Sequence, residues 1–241
     1  MAESDERLLV VSPHYDDAVF SCGELMAACG DAVVVTVFSG APADTSLCTD
    51  WDRHCGFSLS VEAMAERQRE NEVALERLGA ASCDLGFLDS QYGQTPEVSV
   101  LARSIASAID AHRATRVVMP LGLWHSDHVL TGAACIAVYR QMRNLRWVAY
   151  EDALYRRMPG EVQRRLIGLY SEAVGATPAF PFAQCVQPPN EGHESPRWRQ
   201  QKRSAIGAYV SQLKAFGRDG YGDTDQPEHY WHLGDASEEK I

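Results

Sequence analysis

Long apolar segments are absent from this sequence. No apolar run approaches the roughly 20 residues that a membrane-spanning helix needs, so no membrane span is predicted. The amino-terminal stretch MAESDERLL is acidic and lacks the basic start and apolar centre of a secretory signal peptide. The sequence therefore predicts a cytoplasmic protein.

Basic residues are few in relation to acidic ones. The 241 residues include 22 Lys and Arg against 33 Asp and Glu, which gives a formal net charge of −11 at pH 7. Because an acidic surface repels polyanions, this balance disfavours nucleic acids and anionic membranes as partners.

Paired cysteine motifs are also missing. The seven cysteines form no CxxC pair, and their number is odd. In a chain without an export signal, this pattern predicts reduced thiols rather than a disulfide framework.

Short apolar runs of strand character alternate with longer helical stretches along the chain. AVVVTVFSG is apolar nearly throughout, which is typical of a strand buried on both faces of a sheet. SVEAMAERQRENEVALERLGA has helical periodicity and is expected to end at Gly79. Strands are predicted in RLLVVSPH, AVVVTVFSG, CDLGFLD, RVVMPLG, RWVAYED and AFPFAQCV, a late helix in SPRWRQQKRSAIGAYVSQLKAF, and irregular structure from Gly217 onward.

This order of elements predicts an α/β fold. Parallel strands need helical crossovers, so we expect a Rossmann-like, mostly parallel sheet with helices on both faces. With no repeat or linker in the sequence, one domain over residues 1–241 is expected. Sheets of this kind bind ligands outside the carboxyl ends of their strands.

The segment VVSPHYDDAVFSCG places polar side chains where the first predicted strand gives way to a helix. His14, Asp16 and Asp17 lie at this junction. A carboxylate at such a position can simply cap the helix and favour its amino-terminal dipole. The cluster therefore indicates a functional site only if other polar groups lie beside it in the fold.

PLGLWHSDH places a second polar group at another strand-to-helix junction, with His125, Asp127 and His128. If the two strands are neighbours, both groups face one crevice, where two imidazoles and a carboxylate form a three-ligand set. Three protein ligands with an open position are typical of catalytic zinc, and a remaining carboxylate such as Asp16 can act as general base. The same ligand types serve non-haem iron enzymes, against which the α/β alternation argues.

These motifs resemble those of a known family. SPHYDDAVFSCG and HSDH are similar to the two signature motifs of the PIG-L/LmbE-like zinc-dependent de-N-acetylases, and the resemblance covers most of the chain. It implies that His14, Asp17 and His128 bind Zn2+ and that Asp16 is the general base.

The resemblance also implies roles around the metal. His125, as an imidazolium, would stabilise the tetrahedral oxyanion or protonate the departing amine, and Asp127 would hold one of the histidines in its tautomer. AERQRENEVALERLGA and FLDSQYG resemble further family segments. In them, Arg67 and Asp89 would contact the sugar or its substituent.

The stretch 41–60 is predicted to be a loop of small and polar residues. A loop of about 20 residues in a compact domain is often functional. We expect Trp51 to stack on a sugar ring and Asp52 to bind its hydroxyl groups.

Two positions depart from the commoner family motif, because Tyr15 stands in place of Pro and Ala18 in place of Glu. The implied ligands are unaffected, so the departures concern the subgroup and its substrate. The implied function is a zinc-dependent hydrolase that deacetylates an N-acetylated amino sugar, an N-acetylglucosamine-type glycoconjugate, and releases acetate and a free amine. A metal-dependent amidase on another conjugate and a non-haem iron enzyme are the alternatives. The expected partner is this small molecule, and a homo-oligomer is left open.

Overall fold

The computed structural model describes residues 6–180, 197–217 and 220–236. Short 3-10 turns occupy Ser90–Tyr92 and Gly222–Asp225. The helices and strands follow in the order β1 (Leu8–Ser12), α1 (Asp17–Cys29), β2 (Val33–Thr36), α2 (Asp50–Cys55), α3 (Ser60–Leu78), β3 (Ala81–Asp84), α4 (Val98–Ala111), β4 (Arg116–Pro120), α5 (Ser126–Gln141), β5 (Arg146–Tyr150), α6 (Glu161–Ser171), β6 (Val174–Ala179), α7 (Arg197–Ile206), α8 (Val210–Phe216) and β7 (Tyr230–Asp235).

Within the described residues, seven strands form one sheet in the order β3-β2-β1-β4-β5-β7-β6. The first five strands are parallel, and β7 is antiparallel to both β5 and β6. The strand order reverses between β1 and β4, which is the position where open α/β sheets bind ligands. The predicted Rossmann-like, mostly parallel sheet is confirmed.

Helices cover both faces of the sheet, as predicted. Successive side chains of a strand point to opposite faces, so Leu9 and Val11 of β1 join one apolar core while Leu8 and Val10 join the other. The first core packs against α4 and α5, and the second against α1, α3 and α7. The central strands are thus buried on both sides, which explains their unbroken apolar sequences.

Hydrogen bonds from side chains fix the turn between β1 and α1. Ser12 Oγ accepts the N–H of Ala18 at 3.0 Å, and Asp17 Oδ2 accepts the N–H of His14 at 2.8 Å. Because each bond spans the turn, the polar residues between β1 and α1 have a fixed direction.

Several elements differ from the sequence prediction. The predicted loop 41–60 contains α2, and α6 was not predicted. The predicted late helix is two helices, since α7 ends before Gly207, a poor helix former. The segment after Gly217 contains β7, which the prediction of an irregular tail missed. Strand β6 ends at Ala179, where AFPFAQCV begins, and that predicted strand lies outside the described residues beyond Phe180.

The thiols are not all reduced, contrary to expectation. Cys29 is disulfide-bonded. The other described cysteines are free, namely Cys22, Cys48, Cys55, Cys83 and Cys135.

Across the described ranges, no helix combines the length and the apolar character needed to cross a membrane.

Candidate metal centre

The two polar groups of the sequence meet at the reversal point of the sheet. His14, Asp16 and Asp17 follow β1, and the HSDH motif begins at the end of the loop that follows β4. Because β1 and β4 are parallel neighbours, their carboxyl ends lie at the same edge. The structure therefore brings the two clusters into one crevice.

Three donor atoms surround one point in this crevice. Asp17 Oδ2 lies 3.1 Å from His14 Nδ1 and 3.1 Å from His128 Nε2. Ligands of a tetrahedral zinc ion at about 2.1 Å lie about 3.4 Å from one another, so this spacing is suitable. His128 Nε2 is buried and, among the described residues, makes no hydrogen bond of good geometry, although Asp17 Oδ2 lies 3.1 Å from it. A buried nitrogen of this kind calls for a ligand, and these residues fit a divalent cation.

A second set of donors overlaps the first. His14, His125 and Asp127 also bring one donor atom each within 4.8 Å of one another. However, Asp127 Oδ2 already lies 3.1 Å from His14 Nε2, and His125 Nδ1 accepts the Asp127 N–H at 3.2 Å. In the first set, His128 Nε2 makes no hydrogen bond of good geometry to another described residue, so this set is the better metal site.

A carboxylate supports each of the two histidines in the first set. Asp127 Oδ2 contacts His14 Nε2 at 3.1 Å, and Asp152 Oδ1 contacts His128 Nδ1 at 2.6 Å. Each contact leaves the other ring nitrogen to face the donor point. Partners of this kind fix the orientation of the ring and make its free nitrogen a better ligand.

Asp152 is a residue of this site that the sequence reasoning missed. It is fully buried, and its Oδ2 accepts the backbone N–H groups of Gly122 at 2.9 Å and Leu123 at 3.2 Å. A signal for it was present, because Asp152 comes shortly after β5, a parallel neighbour of β4. An acidic residue after such a strand is expected to face the crevice.

The histidines and carboxylates of the candidate metal centre shift one another's pKa values. Burial opposes the charged form of His14, but hydrogen bonds to Asp127 and Asp17 outweigh it and raise the pKa of His14 well above its usual value. Against the effect of burial, Asp17 and Asp152 raise the pKa of His128 to about 9. Conversely, and also against burial, His128 and His14 hold the pKa of Asp17 well below its usual range. The carboxylates thus favour positive charge at this place, as a divalent cation would supply.

Asp16 lies beside these groups and lines the cleft. It precedes α1 but its side chain makes no capping hydrogen bond, so capping does not account for it. Burial, followed by the negative charge of Asp17, raises the pKa of Asp16 to about 7. A carboxylate with a pKa near neutrality is suited to accept and return protons at neutral pH.

The structure does not support the expected imidazolium at His125. This residue caps α5, because its Nδ1 accepts the N–H of Asp127. Burial lowers the pKa of His125, and the positive charges of His14 and His128 lower it further. A ring nitrogen that accepts a hydrogen bond carries no proton, so the capping bond and the lowered pKa both favour a neutral ring with its hydrogen on Nε2.

A cleft of about 580 Å³ opens over the centre, a volume usual for small-molecule sites. Three of the four expected substrate contacts line it, namely Trp51, Arg67 and Asp89. Asp89 Oδ2 lies 3.8 Å from His14 Nε2, so this carboxylate is near the ring nitrogen that faces away from the donor point. Aromatic rings form much of the wall: Phe38, Trp51, Trp124, Tyr155, Tyr209 and Phe216.

The fourth expected contact, Asp52, is not at the cleft surface. Its side chain is fully buried, where Oδ1 pairs with Arg67 at 2.6 Å and Oδ2 accepts the Ser60 hydroxyl at 2.5 Å. The expectation that Asp52 binds sugar hydroxyls is therefore corrected, because its oxygens are already engaged and have no access to a ligand. Asp52 instead holds Arg67, whose Nε has no partner within the described parts of the chain.

Two solved deacetylase structures have the same fold as this chain. The zinc-inhibited form of teicoplanin deacetylase Orf2 is 22% identical and superimposes with a TM-score of 0.73, over 97% of this chain and 100% of that one. A deacetylase triple mutant of the teicoplanin biosynthetic pathway, Orf2*T, is 26% identical with a TM-score of 0.71 and the same two coverages.

Sequence comparisons identify the family. The 2'-N-acetylparomamine deacetylase of Streptomyces fradiae is 32% identical over 152 residues, which are 53% of this chain and 50% of that enzyme. This chain therefore spans about half the length of the curated relative that it matches. The family model of PIG-L, GlcNAc-PI de-N-acetylase, matches residues 9–139, which contain both polar clusters. The chain belongs to the PIG-L (GlcNAc-PI de-N-acetylase) family.

Proposed function

We propose that this chain is a metal-dependent N-deacetylase that removes the acetyl group from an N-acetylated amino sugar and releases acetate and a free amine. The observation that carries the proposal is the convergence of His14 Nδ1, Asp17 Oδ2 and His128 Nε2 on one point, with Asp16 beside them. Family membership and the deacetylase relatives support it. A single sheet through the described residues supports one domain for the whole reaction.

In this proposal, His14, Asp17 and His128 hold a zinc ion. When bound, zinc supplies a Lewis acid that polarises the acetamide carbonyl and lowers the pKa of a water ligand to about 7. Two imidazole nitrogens and one carboxylate oxygen suit zinc and leave room for substrate. The same donors also serve iron, so metal content is part of the test.

Replacing Asp152 with Asn is expected to weaken metal binding about 10–100-fold, the usual effect of losing a partner of a ligating histidine. If the new amide keeps its oxygen on the N–H groups of Gly122 and Leu123, its NH2 group faces His128 Nδ1 and can no longer accept a hydrogen bond from that ring. Competition with a chelator of known affinity measures the change. Asp110→Asn, at an exposed position of α4, is the control. Unchanged metal affinity in the Asp152 variant would remove this residue from the site.

Asp16 moves the proton in the proposed reaction. The attacking water loses a proton as its oxygen bonds to the carbonyl carbon, and the amine nitrogen gains one as the C–N bond breaks. Asp16 accepts the first proton and returns it to the nitrogen, so the carboxylate is regenerated and the reaction balances. Its position in the cleft and its freedom from capping support this role.

His125 stabilises the developing oxyanion. As a neutral ring with its hydrogen on Nε2, it can donate a hydrogen bond to the carbonyl oxygen as negative charge forms there. The N–H of Asp127 fixes the ring by donating to Nδ1. The carboxylate of Asp127 also contacts His14 Nε2, on the side of the ring away from the metal site. Asp127 therefore orients both His14, a proposed metal ligand, and His125, the proposed donor to the oxyanion.

The sugar is proposed to lie between Trp51, Arg67 and Asp89. Aromatic rings stack on the apolar face of a pyranose, while Arg67 donates to hydroxyl oxygens and Asp89 accepts from hydroxyl groups. The names of the relatives, a deacetylase of 2'-N-acetylparomamine and deacetylases of the teicoplanin pathway, support an acetylated sugar derivative as the substrate.

Replacing Asp52 with Asn is expected to raise KM more than it lowers kcat, because Arg67 loses the partner that positions it. Removing one member of a buried ion pair also destabilises the fold, by about 3–5 kcal/mol. Steady-state acetate release and urea unfolding measure the two effects. Asp50→Asn removes an exposed partner of Arg53 in the same helix and is expected to change neither. Equal effects of the two variants would contradict the role given to Asp52.

The proposed function is tested by measuring acetate release from a panel of N-acetylated sugars and glycosides, with and without a chelator. Metal content is measured on the same preparation. We expect release that a chelator abolishes and zinc restores. Native iron with zinc-insensitive activity would favour the iron enzyme, and release of a different acid from another conjugate would favour the broader amidase. Stoichiometric zinc without turnover of any acetylated substrate would contradict the deacetylase.

A further inference from the structure

Leu154 and Tyr155 form part of the cleft wall, in the segment that follows β5. Leu154 has a φ of +72°, a left-handed conformation that a residue with a branched side chain rarely adopts. Neighbouring groups must hold such a conformation in place. The group that holds Leu154 in this conformation therefore influences the shape of the cleft.

Asp223 holds this turn from far along the chain. It lies in the short turn Gly222–Asp225, and its Oδ2 accepts the N–H of Leu154 at 3.0 Å and Nε of Arg156 at 2.8 Å. The side chains of Asp223 and Arg156 are only 4% and 8% exposed. Arg156 is further fixed by donating to the carbonyl oxygen of Pro227 at 2.8 Å. Both residues that flank Tyr155 are thus bound to one buried carboxylate.

Tyr155 lies between Leu154 and Arg156, the two residues bound by Asp223, and contacts the metal centre. Its ring lies edge-on to His128 with centroids 4.8 Å apart, and it stacks on Trp124 at 5.4 Å. Asp152, three residues earlier, contacts the same histidine at Nδ1. The segment held by Asp223 therefore touches His128 at two places.

We propose that Asp223 is a positioning residue of the active site. By bonding to the N–H of Leu154 and to Arg156, it fixes the left-handed turn that directs Tyr155 against His128 and Trp124. Asp223 thereby shapes the cleft although it is not one of the residues that line it. The effect on activity rests on the proposed function, whereas the effect on the conformation of the segment does not.

The first test is hydrogen exchange of a peptide spanning residues 151–158. Asp223→Asn is expected to speed its exchange about tenfold or more, as loss of hydrogen bonds to a charged group predicts, while peptides from β1 and β4 stay unchanged. The matched control is Asp225→Asn, in the same turn, because Asp225 pairs with Arg203 through side chains that are both more than half exposed. Exchange at the control rate in the Asp223 variant would overturn the proposal.

A second variant covers the case in which Asp223→Asn does not fold. Asp223→Glu keeps the charge beside Arg156 but moves the carboxylate by one methylene away from the Leu154 N–H. It is expected to fold and to show the same local increase in exchange. Wild-type exchange in this variant would also overturn the proposal.

The kinetic test uses the acetylated sugar that the wild type deacetylates fastest in the panel. Asp223→Asn is expected to lower kcat/KM about tenfold at a temperature where it is fully folded. Adding Leu154→Gly is expected to restore part of this loss, because glycine adopts a positive φ without steric strain. A purely structural role would leave kcat/KM of the folded protein unchanged. If the wild type deacetylates nothing, the proposed function fails, and hydrogen exchange alone decides the role of Asp223.

Discussion

Replacing Asp16 with Asn is expected to lower kcat for acetate release about 10²–10⁴-fold, the usual contribution of a general base. The amide has nearly the same shape but cannot take a proton from water. The side chain of Asp16 makes no capping hydrogen bond and is not one of the three donors, so neither α1 nor the metal site should change. The measurement is acetate release at saturating substrate, with metal content determined on the same sample.

The stability of this variant separates catalysis from folding. Asp16 is a buried carboxylate next to the like charge of Asp17, so its neutral replacement is expected to unfold at the same denaturant concentration or a higher one. Asp31→Asn, an exposed position just beyond the other end of α1, is the control for both assays. If the Asp16 variant kept most of the wild-type kcat, another group would have to carry the proton.

Replacing His128 with Ala is expected to remove the bound metal and, with it, acetate release. His128 Nε2 is a buried nitrogen that makes no hydrogen bond of good geometry within the described ranges, and Asp17 Oδ2, another of the proposed ligands, lies 3.1 Å from it. Losing a donor itself should weaken metal binding by more than the roughly 10–100-fold that loss of an outer partner causes. Metal per chain after dialysis, measured by mass spectrometry, gives the result.

Controls must distinguish loss of the ligand from loss of the fold, because His128 is only 1% exposed and Ala leaves a cavity. His128→Gln keeps more of the side-chain volume and still lacks the imidazole, so it is expected to fold and to lose the metal. His54→Ala, at an exposed position of α2, is expected to retain both metal and activity. Stoichiometric metal in folded His128→Gln would place the site elsewhere.

The central sheet could be predicted because its signal is local. Strands buried on both faces are apolar throughout, as in β1 and β2, and the helices between them carry their own periodicity. Strand β7 has no such signal: Tyr230 and Trp231 are followed by His232 and Gly234, and the strand exists through its antiparallel pairing with β5 and β6. That pairing involves residues far apart in the sequence, which local patterns do not encode.

The candidate site also has residues that the sequence predicts and residues whose role only the structure shows. The HYDD and HSDH motifs were readable, because each places its polar residues directly after a predicted strand. Asp52 was misread because its sequence surroundings resemble an exposed loop, whereas its burial depends on Arg67 and Ser60 of α3. Asp152 follows β5, which was a signal for the crevice, but its support of His128, 24 residues earlier, is visible only in the structure.

The sequence by itself determined the alternation of strands and helices in the parallel part of the sheet, the family and the residues available for metal chemistry, since these depend on composition, periodicity and short motifs. Tertiary structure alone decided which nitrogen of each histidine faces the donor point, which carboxylate supports it, and that His125 Nδ1 accepts the N–H of Asp127. It also decided that Asp223, nearly 70 residues away, holds Leu154 and thereby Tyr155. The physical reason is that hydrogen bonding and burial are set by neighbours in space, and the fold brings those neighbours together from distant parts of the chain.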